Sequence, residues 1–138
     1  MHRLELKWKG GLAAVAVAGA FAGLAPSAVA DRRPTQRERT AIKEAAPKAC
    51  GDSACRFHRA RVSTRDVRYA WADVTTEGFS AVLLRRPSKR SERWRAIGTQ
   101  GGGISECSYW ERRAPRRVLR DLKIEGLVGS SGEVRTCG

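Results

Sequence analysis

This chain of 138 residues lacks asparagine and has little histidine and few negative charges for its positive ones. Asn is absent, His occurs twice, and 14 acidic residues face 27 Lys and Arg, a formal net charge of +13 at pH 7. Beyond residue 30 the one imidazole is His58, in the strand-like run "CRFHRARVS", which leaves no His pair for acid–base chemistry. No C-x-x-C occurs, so a dithiol redox motif is missing. The glycine-rich "GTQGGGIS" (98–105) does not satisfy G-x-G-x-x-G, and no P-loop Lys-Ser/Thr follows it. Ser130 and Ser131 lack the G-x-S-x-G frame, and nothing in their spacing makes Asp52, Asp66 and Asp73 converge. Without a nucleophile, a base and an orienting group, the expectation is a protein that is not an enzyme and takes no cofactor.

Long apolar runs are also missing, apart from one near the start. Arg3, Lys7 and Lys9 precede an apolar stretch from Leu12 to Ala25, and "PSAVA" places Ala28 and Ala30 at −3 and −1 before Asp31. That is the layout of a secretory signal peptide over residues 1–30. The run falls short of the about 20 apolar residues a bilayer span needs, so no transmembrane anchor is expected after cleavage. No Cys sits at the cleavage point and no Arg pair precedes the run, so neither a lipoprotein anchor nor the twin-Arg route is expected. Residues 31–138 then form a single secreted α+β domain, extracellular or associated with the envelope.

Removing the first 30 of 138 residues leaves 108, with all four cysteines: Cys50, Cys55, Cys107 and Cys137. An even count in an oxidising compartment reads as two disulfides. Three pairings are open, and the short spacer of "CGDSAC" favours Cys50–Cys55, leaving Cys107 to tie down Cys137 and the tail. Zinc with His58 as an extra ligand is the rival, but the spacing matches no standard pattern, and no metal is expected. Residues 1–30 carry Arg3, Lys7, Lys9 and Glu5, so the net charge of +13 falls to +11 for the remainder. Such a surface favours an anionic cell-wall polymer or an acidic protein; nucleic acid suits the charge but has no motif. GC-rich coding, which also explains the missing Asn, is the bland source of so much Arg.

Thr35 and Glu38 form a capping box, and Ala41, Ile42, Ala45 and Ala46 line one face of a helix that Pro47 ends. Strand-like runs follow at 55–63, 67–75, 79–86 and 93–100, spaced for antiparallel pairing, with one apolar face to receive helices. Residues 98–110 read as a loop held at Cys107, and "APRRVLRDLKIEG" (114–126) as a second helix with Pro115 in its first turn and Gly126 at its exit. The expected fold is α+β: an N-terminal helix, a four-stranded antiparallel sheet, a C-terminal helix and a disulfide-tied tail.

Arg113, Arg116, Arg117 and Arg120 recur at i, i+3, i+4 and i+7, opposite Val118, Leu119 and Leu122. Like charges at i,i+4 cost roughly 0.2–0.5 kcal/mol per pair, which an anionic ligand would relieve. Tyr109 and Trp110 just upstream are candidate stacking groups. These six residues are the candidate anion site; a solvated helix face is the plainer explanation. "VSTRDVRYAWADV" (62–74) reads as a polar sheet corner, with Asp66 and Arg68 able to pair and Trp71 as a packing anchor.

The segments "RPTQRERTAI", "RVSTRDVRYAWADV", "RWRAIGTQ" and "PRRVLRDL" resemble small exported proteins of actinobacteria. The resemblance implies an exported α+β domain and carries over no functional residue. The helix followed by an antiparallel sheet is also similar to cystatin-like folds, although the inhibitory Q-x-V-x-G is absent. The expected function is a basic, non-catalytic binding module; the alternative is a secreted hydrolase or protease inhibitor using the Gly-rich loop at Gly101–Gly103.

Overall fold

A computed structural model describes residues 31–51, 55–76 and 78–138; the signal peptide reading and Asp52 fall outside them. The capping box forms. Thr35 Oγ1 accepts from Glu38 N at 3.2 Å, and Thr35 N donates to Glu38 Oε1 at 3.0 Å, starting α1 at Gln36–Ala45. A 3-10 turn over Ala46–Cys50 continues it, with Pro47 in the first turn of that segment.

Five strands make one antiparallel meander in chain order: β1 Asp31–Arg32, β2 Arg56–Ser63, β3 Tyr69–Thr76, β4 Phe79–Arg85 and β5 Arg95–Gln100. The expected four strands are there. The fifth, β1, pairs Asp31 with Ser63, and Arg61 donates to the Asp31 carboxylate at 3.0 Å. Two residues are too few to show alternation, so tertiary pairing creates this strand.

The sheet is apolar on both faces rather than one. α1 and its 3-10 turn cover the first face, where Ile42 and Ala46 pack on Val62, Ala70, Ala72, Val74, Val82, Leu84 and Trp94. The second face buries Tyr69, Trp71, Ala81 and Leu83 under Trp110, Val118, Leu119, Leu122 and Ile124. Sandwiching explains why β3 and β4 read as nearly unbroken apolar runs, as strands buried on both faces do.

The C-terminal half departs most from expectation. Residues 98–100 belong to β5, and the remainder of the supposed loop ends in α2 at Cys107–Glu111. The second helix is only α3, Arg116–Asp121; Lys123 at φ 53° turns the chain into β6 Glu125–Val128, which pairs with β7 Glu133–Thr136. Gly126 is no helix exit. A Cβ there would lie 2.6 Å from Cys137 Sγ and 2.8 Å from Cys107 Sγ, so only glycine lets β6 pass the disulfide. The tail is therefore a hairpin fastened to α2 by Cys107–Cys137, while Cys50–Cys55 ties the 3-10 turn to β2.

Candidate functional site

The residues proposed as one arginine stripe divide into two groups, because Pro115 separates α2 from α3. Arg113 lies in the link between the helices. Its Nε donates to Ile97 O at 3.0 Å and its guanidinium to Tyr109 O at 2.7 Å, with Cζ 3.5 Å from the Tyr109 ring centre. Tyr109 Oη in turn accepts from Thr99 N at 3.1 Å. β5 is the last strand of the sheet, so Arg113 and Tyr109 satisfy backbone groups that no further strand can reach. A Cβ on Gly98 would meet Trp110 Cζ3 at 2.8 Å and Arg113 Cδ at 3.0 Å, so glycine is what lets this cover lie flat.

Trp110 offers no face to a ligand. It is 0 % exposed and packs edge-on against Trp71 and Tyr109, with ring centres 5.1 and 4.8 Å away. Arg113, Tyr109 and Trp110 thus form one packed, edge-covering unit.

Arg116, Arg117 and Arg120 remain exposed on α3. Arg116 is 3.7 Å from Glu111 and Arg117 4.0 Å from Asp66, loose contacts at the outer limit of ion pairing. Arg120 has no carboxylate within reach among the described residues. The neighbouring sheet end adds cations: Arg85, stacked 5.6 Å over Tyr69, stands opposite Arg95 in the β4–β5 register, and both are exposed.

The stretch 62–74 is a sheet corner held from a distance. Asp121, at the end of α3, accepts from Ser63 Oγ at 2.7 Å, Thr64 N at 2.7 Å and Arg65 N at 3.3 Å. Ser63 Oγ accepts from Arg65 N and Asp66 N, each at 3.1 Å. Asp66 pairs with Arg68 through two side-chain contacts of 2.7 and 3.0 Å, and that hydrogen bonding holds its carboxyl below the usual range against the opposing effect of burial. The clamp by Asp121 was invisible in the sequence, where its partners lie 56 to 58 positions away. A lone acid in the last turn of an arginine-rich helix, where the dipole disfavours it, was the one available hint.

Across the sheet lies a buried charge network. Glu38 is 7 % exposed; Arg32 grips it through both oxygens, at 2.6 and 3.0 Å, and Arg86 donates to Oε2 at 2.7 Å. Burial favours the neutral acid, but the hydrogen bonds from Arg32 and Thr35 N and the charges of Arg32 and Arg86 outweigh it. They hold the Glu38 pKa at about 2. Arg86, itself 4 % exposed, also donates to Val67 O at 2.9 Å and stacks 4.5 Å over Trp94. Sequence reasoning assigned Glu38 only to the cap and read Arg86 as part of a charged hairpin tip, "RRPSKRSER", whereas burial against Glu38 and Trp94 makes it part of the interior.

All four cysteines are in disulfides and supply no thiolate, and His58 Nε2 contacts Thr75 Oγ1 on the exposed side of β2. Among the described residues no group of three His, Cys, Asp or Glu converges, and no helix is long and apolar enough to cross a membrane. No protein family, curated protein or solved structure matches the chain.

Proposed function

We propose that the chain is an exported, non-catalytic binding module for a phosphate-rich anionic polymer of the cell envelope, held by exposed arginines on and beside α3. The observation that carries this reading is how poorly those cations are neutralised. Arg85, Arg95, Arg116, Arg117 and Arg120 are exposed, and their carboxylate contacts among the described residues are the two loose ones at 3.7 and 4.0 Å. A surface of uncompensated guanidinium groups attracts polyanions and concentrates them by its field.

Burial of the tryptophans favours such a polymer over nucleic acid. Trp71, Trp94 and Trp110 are 6, 5 and 0 % exposed, so none offers the open ring on which bases stack. Two disulfides suit an oxidising compartment, in keeping with export. The test is a pull-down against teichoic acid, nucleic acid and an uncharged glycan. Selective retention of teichoic acid by the wild type, and its loss when Arg116, Arg117 and Arg120 become Gln, is expected. Equal binding to every polyanion, or to none, would refute the reading.

One observation favours the inhibitor reading: Ile104, beside Gly101–Gly103, is 41 % exposed. That reading requires dose-dependent inhibition of a secreted hydrolase that survives moderate salt and disappears in Ile104→Asp.

A further inference from the structure

The opposite side of the molecule carries a second cationic feature, and unlike the α3 surface it is concave. A cleft of about 520 Å³ opens between the first turn of α1 and the loop joining β4 to β5. Five cations, Arg32, Arg37, Arg86, Lys89 and Arg90, line it against two carboxylates, Glu38 and Glu92. Its volume lies within the roughly 300–1,000 Å³ usual for small-ligand sites.

Floor and rim differ. In the floor, Glu38 is shared by Arg32 and Arg86, so one carboxylate answers two guanidinium groups and a net positive charge stays in a place sheltered from water. Such charge acts further than it would at an open surface. Trp94, 5 % exposed, forms part of the wall, and its indole Nε1–H is buried without a hydrogen-bond acceptor. At the rim, Arg37 meets Glu92 at 3.2 Å with both side chains exposed. An ion pair of that kind is worth about 0–1 kcal/mol and is readily exchanged. Lys89 and Arg90 are exposed and have no carboxylate within pairing distance among the described residues.

We propose that this cleft holds one phosphate group of the polymer, bound by Arg37, Lys89 and Arg90, with the incoming oxyanion taking the place of Glu92 on Arg37. A tetrahedral oxyanion presents oxygens in several directions and can engage cations from two chain segments at once, and arginine matches phosphate with two parallel N–H donors. A second depression, of about 730 Å³, shares Trp94 and Glu92 with the first and is lined by Ala41, Ala45, Ala49 and Ala96 together with Glu44, Lys48, Arg93 and Arg95. Its alanines give the uncharged carbon chain beside the phosphate a shallow path. The inference rests on the polymer reading given above but binds its phosphate through none of the arginines named there.

The decisive experiment follows amide, indole and arginine Nε–H signals of the purified protein by NMR during addition of a short poly(glycerol phosphate), with inorganic phosphate in a parallel titration. The oligomer is expected to shift the Trp94 indole and Arg37 Nε–H signals. The Arg37→Gln/Lys89→Gln/Arg90→Gln variant is expected to bind at least about tenfold more weakly there, since three cations that neutralise the phosphate are removed together. Glu92→Gln, which removes the competing carboxylate, should bind about two- to threefold more tightly. All three changed side chains are exposed, and an otherwise unchanged amide spectrum would certify the fold. Shifts confined to α3, with Trp94 silent, would overturn the cleft site and leave the polymer reading standing. Absence of any shift at low salt would overturn both. Inorganic phosphate binding the cleft as tightly as the oligomer would overturn the assignment to a polymer.

Discussion

The two layers that cover the sheet are held on by different physics. The N-terminal layer places charge inside: Glu38, Arg32 and Arg86 lie beneath α1, with Trp94 stacked on Arg86. The C-terminal layer is mainly apolar inside, with Asp121 buried at its edge, and keeps the arginines of α3 outside. Trp110, Val118, Leu119 and Leu122 are 0 % exposed while Arg116, Arg117 and Arg120 face water. Buried ion pairing therefore lies on the α1 side of the sheet, while the α3 side buries a single carboxylate, Asp121, among the described residues. Within the C-terminal layer an arginine's role depends on what it reaches: Arg113 donates to the β5 backbone, whereas Arg116, three positions on, faces water.

The comparison is broken most strongly at Glu38. Glu38→Gln leaves Arg86 buried with no countercharge and should destabilise the protein by about 3–5 kcal/mol in urea unfolding, the usual result of breaking one side of a buried pair. A loss below about 1 kcal/mol, typical of an exposed pair, would mean that the N-terminal layer does not depend on this network.

Acid should separate the layers next. The folded pKa of Glu38, about 2, lies below its ordinary 4.5. Its contribution is thus fully present above pH 4.5 and lost as pH falls through 2, on the order of 3 kcal/mol in all. Asp66 is shifted in the same direction and adds to the loss. Unfolding followed from pH 6 to about pH 2 should show a steep acid limb in the wild type that is much flatter in Glu38→Gln. Parallel curves would assign the acid sensitivity elsewhere.

Smaller again is the contrast within the arginines. Arg113→Ala frees Ile97 O and unseats Tyr109, for a cost of about 2 kcal/mol, as for hydrogen bonds to a charged group. Arg116→Ala should change stability by no more than about 0.5 kcal/mol. Exchange protection of the Thr99 amide should fall in Arg113→Ala alone; equal protection in the two variants would refute the edge-covering role.

What could be read from the sequence was whatever is decided within a few residues. Thr35 and Glu38 are one helical turn apart, Cys50 and Cys55 are separated by a short spacer, and the runs of β2 to β5 carry their own strand signals. What could not be read depends on distant partners. A single apolar face was expected because alternation is visible in "VRYAWADV", whereas burial of Ala70, Ala72 and Val74 under α1 requires knowing that a helix lies there. The arginine periodicity was genuine as spacing but false as a surface, because Pro115 begins a new helix and leaves Arg113 against β5. The interior roles of Asp121 and Arg86 went unnoticed for the same reason: their partners come from other elements.

The central claim, that the arginines of α3 serve a polyanion while Arg113 serves the fold, is tested most directly by salt dependence. Affinity for teichoic acid would be measured across a salt series for the wild type, for Arg113→Gln, and for the variant with Arg116, Arg117 and Arg120 changed to Gln. Each phosphate that is no longer neutralised should reduce the slope of log K against log salt by about 0.7–0.9. The account predicts that the triple variant's slope falls by about two units, while Arg113→Gln keeps the wild-type slope despite its lower stability. An unchanged slope in the triple variant, or a larger fall in Arg113→Gln, would contradict it.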